Sequence, residues 1–142
     1  MNKKSILAIE KIIIYIMELD IMTKDRDDNY FYNSYEMSII CGLVNDIDIN
    51  LKKVNFKVKE KYNNINWKIF DDYYEKDDGF IVRKLGKIWI LANGVLKKEL
   101  YNQLRNILEI EIPIYYTNYC NQQHEKAVKQ SIKERNELKN EK

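Results

Sequence analysis

Between residues 30 and 62 apolar side chains recur at Ile40, Leu43, Ile47, Leu51, Val54, Val58 and Tyr62, in steps of three or four. That is the period of one helix face and not of a strand, whose faces repeat every second residue. No proline interrupts the stretch, and its one glycine is Gly42. A single helix of that length would run about 50 Å at 1.5 Å per residue. Packing supplies most helical stability in proteins, so such a helix demands partners along its stripe. Asn45, Asp46, Asp48 and Asn50 mark where it would break into two nearly collinear pieces, but the stripe continues through them. Asn63-Asn64 ends it.

The partners are legible on either side. Over residues 4–19, Ile6, Ile9, Ile13 and Ile16 form one stripe that Leu7, Ile12, Ile14, Met17 and Leu19 widen. Only Glu10, Lys11 and Glu18 mark a wet side, which predicts a helix buried over much of its girth. A polar loop follows over 20–29, with Asp28 or Asn29 available to cap the long helix. Tyr30, Phe31, Tyr32 and Tyr35 read as packing between the two helices. Asn66 can cap a short helix over 67–74, followed by an acidic loop at Asp71-Asp72 and Asp77-Asp78-Gly79. That loop lacks the ordered pattern of a Ca²⁺ site and reads as solvated.

Two readings compete over 80–92. Phe80, Ile81, Leu85, Ile88 and Trp89 suit a helix with Arg83, Lys84 and Lys87 on its wet side; Val82, Ile88 and Ile90 around Leu85-Gly86 suit a hairpin. Helix is the better supported, stopped in either case by Asn93-Gly94. Leu96, Leu100, Leu104, Ile107 and Leu108 predict a helix over 96–110. Pro113 breaks that pattern and suits the first turn of a last helix from about 114 to 136, whose polar second half is expected to fray. The expectation is one all-α domain over 1–142, an up-and-down bundle of four to five helices, with a short hairpin near 80–91 as the alternative.

Charge is nearly balanced at +2 but uneven, with residues 81–142 carrying twelve basic and seven acidic groups. That excess falls short of the strongly basic domain that marks a nucleic-acid binder. Cys41 and Cys120 are too few for a disulfide framework and read as reduced, buried thiols of a cytoplasmic protein. Glu10 and Lys11 interrupt the apolar N-terminal run, against a signal peptide, and no run approaches the ~20 apolar residues of a membrane span.

Two stretches resemble a known family: Ile9-Glu10-Lys11-Ile12-Ile13 through Leu19-Asp20, and Lys59-Glu60-Lys61-Tyr62-Asn63-Asn64-Ile65-Asn66-Trp67-Lys68-Ile69. With the order helix, long helix, Trp-containing turn, helix, helix, they resemble the HEPN (higher eukaryotes and prokaryotes nucleotide-binding) superfamily, nearest the small partners of minimal nucleotidyltransferases in toxin–antitoxin pairs. The resemblance covers about the first seventy residues, with Asn66 where proline is usual in the family's Ile-Pro-Trp turn. It implies an all-helical fold and, in active members, an RNase site built across a dimer from an Arg and a His with four to six residues between them. Here Arg83 is the nearest Arg, the positions due to hold the His are Ile88, Trp89 and Ile90, and Lys84 replaces the Asn that usually follows the Arg. Arg105-Asn106 repeats that pair without a His, and the one His is His124. The resemblance therefore implies a catalytically silent relative, because the chemistry needs a group that moves protons near neutral pH.

No other motif completes a site. Cys120 and His124 stand one helical turn apart, but two ligands do not make a zinc centre. No phosphate-cradling Gly loop, nucleophile elbow or His-Glu-x-x-His is present, and no catalytic residue, metal or cofactor is expected. Lys126, Lys129 and Lys133 fall on one helix face and, with Arg83, Lys84 and Lys87, are the candidate phosphate contacts. The eleven tyrosines exceed the needs of a small bundle. Tyr73, Tyr74, Tyr115, Tyr116 and Tyr119 are the candidate partner-binding residues, since such rings favour surfaces with one apolar and one wet side. The expected function is a non-enzymatic interaction protein: an antitoxin, immunity or phage anti-defence inhibitor of a larger nuclease or nucleoprotein. The alternatives are an RNA-binding module or small ribonucleoprotein subunit, and an atypical HEPN-like RNase using Arg83 and His124.

Overall fold

Asn2 starts the first helix, α1 (Lys3–Thr23), by accepting a hydrogen bond on its side-chain oxygen from the Ser5 amide at 2.8 Å. This satisfies one of the four amides that a helix start leaves open. In this computed structural model, which describes residues 1–27, 34–71, 74–77, 80–83 and 85–140, the remaining elements are α2 (Ser34–Lys53), α3 (Phe56–Lys61), β1 (Tyr74–Asp77), β2 (Phe80–Arg83), α4 (Leu85–Ile90), a π-helical segment π1 (Leu91–Leu100) and α5 (Tyr101–Asn140). The fold class is all-α, and the two strands form one short antiparallel ladder.

The core is centred on α1. Its Ile9, Ile12, Ile16 and Leu19 meet Met37, Ile40, Val44, Ile47 and Leu51 of α2, then Leu91, Ala92, Leu96 and Leu100 of π1 and Leu104 and Ile107 of α5. Each fully buried side chain of this kind stabilises the fold by about 1.5–3 kcal/mol relative to exposure. Thr23 closes α1. Its hydroxyl donates to the Leu19 carbonyl at 2.7 Å and accepts from Lys97 Nζ at 2.7 Å, while Lys97 also lies 3.4 Å from Asp20.

The long stripe of residues 30–62 does not make one helix. It passes unbroken through 45–50, where the Asn50 amide donates back to the Asp46 carbonyl, and breaks instead at Val54-Asn55. Asn55 caps α3, its side-chain oxygen accepting from the Lys57 amide at 2.8 Å. The Asn55 amide donates to the buried Ser5 hydroxyl at 2.9 Å. An Asn side chain that offers the backbone such a partner competes with helix continuation. The short helix expected over 67–74 is a run of turns through Phe70, where the Trp67 indole N–H donates to the Tyr62 carbonyl at 3.0 Å.

Residues 80–83 are strand where helix is the better supported reading, and the hairpin they form is not the alternative one around Leu85-Gly86. β1 and β2 pair from Tyr74↔Arg83 to Asp77↔Phe80, within what reads as an acidic loop followed by the start of a helix. Asp78-Gly79, the dipeptide between the strands, carries one of the strongest short hairpin signals. Leu85 opens α4, whose Ile88 and Trp89 are buried.

Neither predicted stop interrupts the C-terminal half. Asn93-Gly94 lies inside π1, which ends with the Tyr101 amide donating to the Leu96 carbonyl five residues back. Pro113 lies inside α5 and not at the start of a separate helix. Its ring removes the N–H that would bond the Glu109 carbonyl and ordinarily costs a helix interior ~3 kcal/mol or more. The preceding turns are held by the burial of Leu104, Ile107 and Glu111. No described helix is long and apolar enough to cross a membrane.

Candidate interaction surface

Beyond Tyr115 every described α5 residue is exposed, from 116 to 140. Twenty-five helical residues extend about 37 Å, and none contributes to the core. The helix α5 is regular to Asn140.

Helical periodicity sorts the side chains of this segment. At 100° per residue, Tyr115, Tyr119, Lys126, Lys129 and Lys133 fall along one line. Tyr115 is half-buried at the root, and its ring meets that of Tyr116 edge-on with centroids 5.6 Å apart. Tyr116 is 60% exposed and Tyr119 49%. None of the ion pairs among the described residues uses Lys126, Lys129 or Lys133. A second line carries the exposed Ile110, Ile114, Val128 and Ile132. One continuous helix thus joins two residue sets, tyrosines and lysines, that sequence reasoning assigned to separate functions.

The other candidates lie elsewhere or outside the described residues. Tyr73 and Lys84 are outside them, and the side chains of Tyr74 and Arg83 likewise. Lys87 is exposed on α4 beside a groove of about 610 Å³ with Asn64, Asn66, Val95 and Gln103. Cys120 is exposed on α5 and not buried as expected, because that segment has no neighbour among the described residues to bury it; Cys41 is half-buried against the core. His124 is exposed one turn beyond Cys120. Among the described residues no three potential ligands gather into a metal-binding group.

Sequence reasoning missed one cluster. Glu111, 3% exposed, accepts at Oε1 from Lys61 Nζ and from the Tyr62 hydroxyl, each at 2.6 Å, and its Oε2 lies 3.8 Å from the Met1 amine. Burial would raise the Glu111 carboxyl. The hydrogen bonds from Lys61 and Tyr62, with the positive charges of Lys61 and the amine, outweigh burial and hold it below its ordinary range. The bond to Glu111 raises Lys61 against the opposing effect of desolvation; burial, then the bond to Glu111, raises Tyr62. All three groups are displaced away from neutrality, the opposite of what a general acid or base requires. The cluster is a bracket that ties the end of α3 to α5. Its one signal in the sequence is a carboxylate that continues the apolar stripe Leu104, Ile107, Leu108 one turn further, where a buried side chain is due.

No family model, curated protein or solved structure matches this chain.

Proposed function

We propose that this chain is a non-enzymatic interaction protein: a small cytoplasmic inhibitor, of the antitoxin, immunity or anti-defence kind, that binds a larger nuclease or nucleoprotein through its projecting helix. The helices around α1 serve as a bundle-like base. One observation carries the reading: α5 holds its last 25 described residues in helix with every side chain exposed, tyrosines at the root and apolar residues along one line. A helix without neighbours contributes nothing to the core, and helices of this kind are read by grooves on partners through anchors at i, i+3, i+4 and i+7. The resemblance to HEPN proteins enters as that of a silent relative that keeps a scaffold without the Arg and His spacing.

The test is affinity capture from the cells that make the protein, using the intact chain and a Tyr116→Ser, Tyr119→Ser variant. A specific partner retained by the first and lost by the second supports the reading. The same partners on both would remove α5 as the recognition element.

A second reading, an RNA-binding module, has its own observation: the tyrosines and lysines of α5 share one line, rings for stacking followed by three cations for phosphates. Three phosphate contacts predict a slope of about −2 in log affinity against log salt for a single strand. Anisotropy of a single-stranded RNA oligomer across salt concentrations measures it, and replacing all three lysines with alanine should flatten the slope.

A further inference from the structure

Four lysines gather at one corner of the fold without a counter-charge: Lys3, Lys4 and Lys11 of α1 and Lys53 of α2 line a groove of about 410 Å³, and all are exposed. Lys4, Leu7 and Lys11, in steps of three and four, share one face of α1. The hydrogen bond from the Asn55 amide to the Ser5 hydroxyl holds the end of α2 beside the start of α1. None of the ion pairs among the described residues uses any of the four lysines. The grooves beside Lys87, Met17 and Pro113 each include a carboxylate, from Glu99, Asp20 and Glu109 respectively, whereas none lines this one. Lys3 and Lys4 also stand in the first turn of α1, which carries no acidic residue, at the end where the helix dipole disfavours cations. Local electrostatics therefore oppose this arrangement, and departures of that kind are expected where a site is built. A bound anion would reverse both effects.

A second observation points to a ligand and narrows its chemistry. Asn50, 5% exposed, lines the same groove. Its Nδ2 donates to the Asp46 carbonyl at 2.8 Å, which fixes the way the amide faces. Its Oδ1 is thereby left buried with no donor among the described residues. A buried acceptor without a donor is costly, so a ligand that brings one is favoured. The lysines select a phosphate and the Asn50 acceptor selects a hydroxyl, while Leu7 and Ala8 offer an apolar wall to a carbon skeleton. We propose that this groove is a binding site for a small phosphorylated sugar, its phosphate held among Lys3, Lys4, Lys11 and Lys53 and a sugar hydroxyl donating to Asn50. The inference is independent of α5 and of what α5 binds.

Isothermal titration calorimetry of the full chain with ribose 5-phosphate tests it, with inorganic phosphate and ribose compared at the same ionic strength because exposed charges are screened by salt. Ribose 5-phosphate should bind with a Kd below about 1 mM and at least about tenfold more tightly than inorganic phosphate, and ribose alone should give no heat of binding. The double variant Lys4→Gln, Lys11→Gln, at exposed positions, should weaken ribose 5-phosphate at least about tenfold with an unchanged far-UV circular dichroism spectrum. Asn50→Ala should bring ribose 5-phosphate down to the level of inorganic phosphate and leave the latter unaltered. No binding of ribose 5-phosphate, or binding indifferent to the lysine variant, would overturn the proposal. Equal affinities for the two phosphates in the intact chain would overturn the choice of a sugar. A single-stranded RNA oligomer that binds far more tightly than ribose 5-phosphate, and is lost in the same lysine variant, would overturn it in favour of a polynucleotide.

Discussion

Replacing Glu111 with alanine should destabilise the protein by about 2–3 kcal/mol, through loss of a bracket and not through loss of a core contact. The Tyr62 hydroxyl bond at 2.6 Å is short and accepted by a charged oxygen in a site 3% exposed. Bonds to charged groups contribute about 1.5–3 kcal/mol each. The Lys61 bond is equally short, but its side chain is 56% exposed, so water recovers most of what that ammonium loses. The figure therefore rests on Tyr62 and on the polar groups left facing an emptied site. For a chain of this size it corresponds to a fall of roughly 5–10 °C in Tm. Urea unfolding followed by tryptophan fluorescence is the right assay, because Trp89 is buried in the core while part of the circular dichroism comes from the exposed end of α5, which lies outside it. Tyr62→Phe should cost about 1–2 kcal/mol by itself. Both substitutions remove one bond, so the double variant should cost less than their sum by at least about 0.5 kcal/mol. Additive losses, or a Glu111→Ala protein within about 0.5 kcal/mol of the original, would refute the bracket.

The same site sets an acid limit. A carboxyl whose folded pKa is depressed contributes stability that is present above its unfolded pKa and disappears as pH falls through the folded one. Urea midpoints should therefore drop on acidification below about pH 4, and drop less in Glu111→Gln. Ser5→Ala should cost about 1–2 kcal/mol in the same unfolding assay by leaving the Asn55 amide without its hydroxyl acceptor. Asn55→Ala, which removes the α3 cap, should cost about 1 kcal/mol. Pro113→Ala should raise both helicity by circular dichroism and Tm, since it returns a donor to the Glu109 carbonyl without disturbing a buried contact.

Much of the helix content was visible residue by residue. Ile6, Ile9 and Ile16, and Ile40, Leu43, Ile47 and Leu51, recur at helical steps and are buried where that spacing places them. Ile13, counted in the first stripe, is only partly buried, and the fully buried Ile12 takes that place. The shared line of Tyr115, Tyr119 and the three lysines was also implicit, since the expected last helix over 114–136 already held all five. The Asp78-Gly79 hairpin signal was present as well and was outweighed by the acidic run around it.

Helical periodicity is a local property, because each turn is set by residues three and four apart, and a chain read in order carries it without knowledge of the fold. What joins distant residues is not written that way. The break at Asn55 depends on a hydroxyl fifty positions earlier. The charge of Glu111 is tolerated only because Lys61 and Tyr62 arrive beside it. The passage of helix through Gly94 and Pro113 depends on packing against α1 that offsets two unfavourable residues. Most of all, α1 offers nearly equal apolar sides to any neighbour, and only the assembled fold decides which one is covered and which stays open to water.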